Sequence, residues 1–471
     1  MFSSLRTKLQ QTFSAQESYD PAWERALDAG ADAGYFAHDS AVWTVHGGMS
    51  PIAAGIRALL TQALHPGALA GVAEHSNYRA DPLSRLAGTI RWIFTLTYGD
   101  TVAADAACAW VARRHAPVTG KYLAASGAQL DYAASDPGLS DWVHLAFADA
   151  FLRSHEIFSG PLGSRADEYV RHWAKAGELM GVANPPRSEE QLREAMAGYE
   201  ARGELSGGPR VAEVVSFLKN PPLDPVVLPG YKLLFAAVVA TLPASHREML
   251  GLQLPVVGQR VARIGGKAAL GLAGLALAKR GPAELAARRR LFRLGVLDDL
   301  SYPDRGLTEN PGVPNGYEQI LRREYVGHGD AVFQALASGI MSWKLHEGAG
   351  LRVLADTPEM RMATRVRLGI GLGQLRWNIP CRVVSLIEEE HRRGFAYGTL
   401  AGHPESGEES FTACQEPDGS VYLQIRAVSR HANLLFRIVS PLTHLAQQLA
   451  TDRYVDAARR IASGAESTGR Y

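Results

Sequence analysis

Apolar residues recur at helical spacing from Asp20-Pro21 to about Val296, and beyond Val366 they alternate with a period of two. A chain that switches from one pattern to the other carries a long helical part followed by a part built on a half-buried sheet. Its length of 471 residues suits two or three ordinary domains. Residues 302–314 carry three prolines and few apolar residues, which is linker composition. The expected organisation is multidomain: an arm over residues 1–18, an all-α domain of about ten helices over 19–298, a linker over 299–316, and an α+β domain over 317–465.

Within the helical part, three helices are delimited by local chemistry. Asp81-Pro82 places a side-chain acceptor at an N-cap and proline at the first helical position, and Tyr98-Gly99 closes that helix. A second helix opens near Asp100-Thr101 and must stop close to Ala116, because Pro117 forces the residue before it out of the helical region. His115 therefore sits at a helix tail. Asp136-Pro137 repeats the opening signal for a third helix, on which His144, Ala148, Phe151 and His155 share one face. Arg85 and Thr89, four apart on the first helix, also share a face. His115, Arg85, Thr89, His144 and His155 are thus candidates for one site. Two readings stay open for His115, a metal or haem ligand or a cationic residue favoured at a helix C-terminus.

After residue 316 the pattern predicts a helix over 332–343 and strands over 366–372, 381–388, 394–400, 408–413 and 421–428. A long amphipathic helix over about 442–462 follows. An antiparallel meander with a helix laid across it would enclose an apolar cavity. Gly369-Ile370-Gly371-Leu372-Gly373 sits inside strand alternation and does not lead into a helix, so it is not a nucleotide loop. Gly265-Gly266-Lys267 lacks the remaining P-loop residues. The run from Gly402 to Glu409 is read as a hairpin loop with solvated carboxylates in preference to a metal cluster.

The 49 basic and 48 acidic residues leave no global field for nucleic acid. The three cysteines are scattered, which excludes a disulfide framework or a CxxC metal site. The first 16 residues have no apolar core of signal-peptide length, and the most apolar windows fall short of the roughly 20 residues needed to cross a bilayer, so a cytoplasmic protein is expected. The basic amphipathic stretch 284–296 is read as a solvated face packed on its domain, with membrane-surface contact as the other reading.

Residues 36–252 resemble the oxygenase family that includes the fungal MpaB-type enzyme and the latex-clearing rubber oxygenases. The matching residues include Asp39-Ser40-Ala41-Val42-Trp43, Leu64-His65-Pro66, Asp81-Pro82-Leu83-Ser84-Arg85-Leu86 with Thr89, Tyr98-Gly99-Asp100, His115 with Val118 and Gly120, and Trp142-Val143-His144. The resemblance implies an all-helical domain with globin-like packing around b-type haem. Histidine as axial ligand carries over to His115, and the distal arginine and threonine carry over to Arg85 and Thr89. His144 is carried as a further catalytic candidate and His155 as a further cofactor contact. One departure is Gly88, where the rubber oxygenases have lysine. Residues 317–460 resemble a bacterial and plant family of unknown function, most specifically in the run from Gly394 to Phe411, with a helix-grip-like pattern. Together these imply a haem-dependent oxygenase acting on an isoprenoid, polyketide or fatty-acyl molecule, with dioxygen and an electron donor as partners and a second domain that binds a hydrophobic ligand. The alternative is a non-enzymatic ligand-binding or scaffold protein without cofactor.

Overall fold

A computed structural model describes residues 2–16, 22–75, 80–277, 280–303, 305–372, 375–431 and 451–464. The chain divides into two compact units, residues 1–290 and 291–471.

In the first unit the expected helices form where capping chemistry places them. Pro82–Tyr98 opens with the Asp81 carboxylate accepting the Ser84 N–H at 3.2 Å and stops at Gly99. Thr101–His115 opens with Asp100 accepting the Ala103 N–H at 2.9 Å and ends on His115, two residues before Pro117. Pro137–Phe158 begins on proline as expected, but Asp136 instead accepts the N–H of Ala133 at 2.8 Å, so its carboxylate does not cap the helix.

The unit is helical with one departure. Strands β1 (Thr119–Leu123) and β2 (Gln129–Ala133) form an antiparallel hairpin, made possible by the stop at Pro117 and by Gly127 at φ +85°. Gly120 pairs with Tyr132, whose ring lies where a side chain at 120 would go. Among the described residues fourteen helices lie between Ala22 and Arg293 instead of about ten, because segments such as Ala22–Ala26, Ala41–His46 and Ala244–Met249 are short helices of their own. The expected arm forms the helix Phe2–Ser14, whose Leu9 packs with Val227 and Ala276. The basic helix Pro282–Arg293 does not present its arginines as a solvated face. Arg290 is fully buried and donates to the carbonyls of Leu27 and Tyr98, both at 2.7 Å, while Arg289 pairs with Asp28 at 2.9 Å.

The second unit is built on seven antiparallel strands: β3 (Glu318–His328), β4 (Arg352–Ala355), β5 (Arg365–Leu372), β6 (Leu375–Glu388), β7 (Arg392–Thr399), β8 (Glu405–Gln415) and β9 (Ser420–His431). Their order is β3-β9-β8-β7-β6-β5-β4. The meander from β5 to β9 is the expected one. The edge strands escape the pattern, β3 because it is rich in charge and β4 because it is four residues long. One face of the sheet buries Val366, Phe395, Phe411 and Ile425 against Phe333 and Leu336 of the helix Asp330–Met341 and against Tyr454 and Ala458 of the helical residues 451–464. Residues 442–450 of the predicted closing helix lie outside the described residues.

Residues 299–316, linker-like in composition, cover the opposite face. Glu408 there is buried and accepts from the Tyr302 hydroxyl at 2.7 Å and from the N–H groups of Gly306 and Thr308 at 2.8 and 3.1 Å.

Candidate functional site

The helices Pro82–Tyr98 and Thr101–His115 pack against each other and bury little. The first buries only Ile93, Leu96, Thr97 and Tyr98, all at its C-terminal end, and the second only Ala104 and Cys108. Leu83, Leu86, Ile90 and Trp92 are therefore only partly covered, and Trp110 stays 44% exposed. Isolated exposed apolar residues are common, but two adjoining helices with this much uncovered apolar surface form an open apolar wall.

His115 and Arg85 lie near enough on this wall for the Arg85 charge to act on the imidazole. The His115 ring makes no hydrogen bond to a described residue, and although it is exposed, burial by the surrounding chain and then the charge of Arg85 lower its pKa. Thr89 lies one turn from Arg85, and its hydroxyl donates to the Arg85 carbonyl at 3.2 Å. Gly88 has nothing within 4 Å of where a side chain would begin.

His144 and His155 lie elsewhere. His144 is buried against Gly177 of the helix Arg165–Leu179, and burial takes its pKa down to about 4. His155 is buried beside His46 and Arg165, with its Nδ1 unpartnered. Among the described residues no hydrogen bond, ion pair or ring contact joins either one to His115. The stripe along Pro137–Phe158 is real, but its face is turned into the unit's own core.

His46 was not foreseen. Its Nδ1 lies 2.7 Å from the Thr97 hydroxyl and its Nε2 3.2 Å from that of Tyr169, within rings of Phe151 and Trp173. Burial takes its pKa down to about 3. Arg57 was also passed over. It is buried and holds Asp149 at 2.7 Å and the Thr241 carbonyl at 2.6 Å. Its signal was in the sequence, because a lone arginine among Ile56, Ala58, Leu59 and Leu60 requires a buried partner.

The second unit holds a further polar group. Glu409 lies on the inner face of β8, two residues before Phe411, and accepts from the Tyr397 hydroxyl at 2.5 Å. Burial pushes its pKa up to about 7, against the lowering effect of that hydrogen bond. His346 is fully buried with both ring nitrogens unpartnered, among the rings of Trp343, Phe395, Tyr397, Phe411 and Tyr454. Glu408 and Glu409 lie in the strand expected over 408–413, but their carboxylates are engaged, which corrects the reading of them as solvated. Among the described residues no cluster of three or more metal-ligating side chains occurs.

Residues 43–273 match the family model for the ER-bound oxygenase mpaB/B'/rubber oxygenase catalytic domain. The helical unit resembles an MpaB-type oxygenase domain. Residues 301–457 match a domain of unknown function, DUF1990. A UPF0548 protein of Deinococcus radiodurans is 29% identical over 164 residues, spanning 33% of this chain and 83% of its own length. A Thalictrum flavum norcoclaurine synthase matches 33% of the chain and 99% of its own at 15% identity and a TM-score of 0.25. A hypothetical Helicobacter pylori protein matches 35% and 98% at 12% identity and 0.26. The structural likenesses carry no argument about activity. The MpaB-type match encloses His115, Arg85, Thr89, His144, His155, His46 and Arg57, and supports an oxygenase-type oxidoreductase at the level of the family.

Proposed function

We propose that the protein is a haem-dependent oxygenase acting on a hydrophobic small molecule of isoprenoid, polyketide or fatty-acyl type. In this reading dioxygen is the co-substrate, an electron donor is the partner, and the second unit holds the hydrophobic ligand. The observation that carries the reading is the electrostatic proximity of Arg85 to His115 on a thinly covered apolar wall inside the region that matches the oxygenase model.

The residues present fit b-type haem. Depression of its pKa keeps the His115 imidazole neutral and able to offer a nitrogen lone pair, and that ring has no competing hydrogen bond among the described residues. Arg85 places a fixed positive charge beside it, suited to a propionate or to negative charge developing on oxygen. Leu86, Ile90 and Trp92 supply apolar surface for a flat macrocycle and exclude water. Haem, when bound, supplies the activation of dioxygen. His144 and His155 act in this reading by shaping the core behind the wall.

The test is to titrate haem into the purified cofactor-free chain and to follow oxygen consumption with isoprenoid and fatty-acyl substrates. Saturable haem uptake with substrate-dependent oxygen consumption supports the oxygenase. A chain that takes up no haem yet still binds a hydrophobic probe supports the alternative of a non-enzymatic ligand-binding protein.

A further inference from the structure

The helix Val256–Leu277 carries its apolar residues on two opposite sides. One side is packed: Gly266 approaches Ala237 so closely that a side chain there would overlap it, and Ala276 is buried with Leu9 and Val227. The other side is open. Val257, Val261, Ile264, Leu272 and Leu275 follow helical spacing along it, each between 53% and 76% exposed. The neighbouring helix Leu228–Val239 adds Leu233, which is 52% exposed. A helix of this length presents an apolar stripe about 33 Å long.

Charge decides what covers it. The 22 residues include Arg260, Arg263 and Lys267 and no aspartate or glutamate. Arg263 is turned back to donate to the Ala240 carbonyl at 2.6 Å. Arg260 and Lys267 are exposed and make no ion pair among the described residues, and Lys232 is exposed beside Leu233. A second copy of the same face would oppose cations to cations. An anionic lipid surface would accept both the apolar stripe and the charges.

We infer that Val256–Leu277, with Leu233, docks this protein flat on an anionic membrane surface. Among the described residues no single helix is long and apolar enough to cross a membrane, and Val256–Leu277 reaches that length and apolarity only as a bent pair with Pro282–Arg293. Spanning would strip Arg289 and Arg290 of the internal partners that hold them, and the packed side of Val256–Leu277 belongs to the unit's own core, so the surface orientation is the one that keeps these contacts. Membrane-surface contact, the other reading of the basic stretch 284–296, thus fits the preceding helix better, because Arg289 and Arg290 are held by internal partners.

The experiment is co-sedimentation of the full chain with vesicles of phosphatidylcholine, with and without phosphatidylglycerol. The wild type should bind the anionic vesicles and weaken as salt rises. The double variant Ile264→Glu with Leu275→Glu changes only exposed positions and keeps the circular dichroism of the wild type, and it should lose at least about tenfold in binding. Arg260→Glu with Lys267→Glu should abolish the preference for anionic vesicles. The proposal is overturned by failure to bind either vesicle or by binding that Ile264→Glu with Leu275→Glu leaves intact. A solution dimer that Ile264→Glu converts to monomer overturns it too, since the stripe then belongs to a second copy.

Discussion

Glu409 shows what a single desolvated titratable group does to a fold. Its folded pKa of about 7 stands above the ordinary 4.5, so the native state holds a proton that the unfolded chain releases in that interval. Its contribution is most favourable below pH 4.5 and is lost as pH rises toward 7, a change of about 3 kcal/mol. Glu409→Gln keeps an acceptor for Tyr397 and removes the titration. Urea unfolding should find the variant close to wild type at pH 4.5 and more stable than it at pH 8. Glu408 behaves differently, because four donors from Tyr302, Gly306 and Thr308 converge on it. Glu408→Ala leaves those donors unpaired, should cost about 3 kcal/mol, and should strip hydrogen-exchange protection from that segment before the rest of the unit. Of the two carboxylates, Glu409 could have been found from the sequence, since period-two alternation puts it on the same face as Phe411. Glu408 could not, because its partners lie about a hundred residues away.

At the scale of elements, the signals that succeeded were local. Asp81-Pro82, Tyr98-Gly99, Asp100 and Pro117 place two helices because each cap is satisfied within a turn. The signals that failed depended on packing. The spacing of His144 and His155 gave their shared face but could not say that the face turns inward, against Gly177 for His144 and beside His46 for His155. The arginines of Pro282–Arg293 looked like a solvated face until Leu27, Tyr98 and Asp28 claimed them. The buried histidines have a consequence for acid stability. His46 and His144 have folded pKa values of about 3 and 4, below the ordinary 6.5, so the unfolded state binds more protons below that value. The helical unit should lose stability as pH falls from 6.5 toward 4, by up to about 1.4 kcal/mol per pH unit for each residue. His144→Phe should reduce that slope in acid titrations of ellipticity. An unchanged slope would mean that His144 is solvated.

At the scale of the molecule, the change from helical to alternating spacing was enough to foresee a helical unit and an antiparallel-sheet unit, since the two patterns occupy separate stretches of a chain too long for one ordinary domain; within the second unit helix and sheet share one core. The division falls at 290/291, earlier than linker composition suggests, because Leu300, Tyr302 and Leu307 pack with Val428 of the sheet. The proposal that bears most on the first unit is that His115, and not His144, would hold haem. The most direct measurement is the absorption spectrum of protein expressed with haem precursor, for wild type, His115→Ala and His144→Ala. The account predicts a Soret band in wild type and in His144→Ala that is lost or shifted in His115→Ala. A colourless, iron-free wild type, or a band that moves only with His144→Ala, would contradict it.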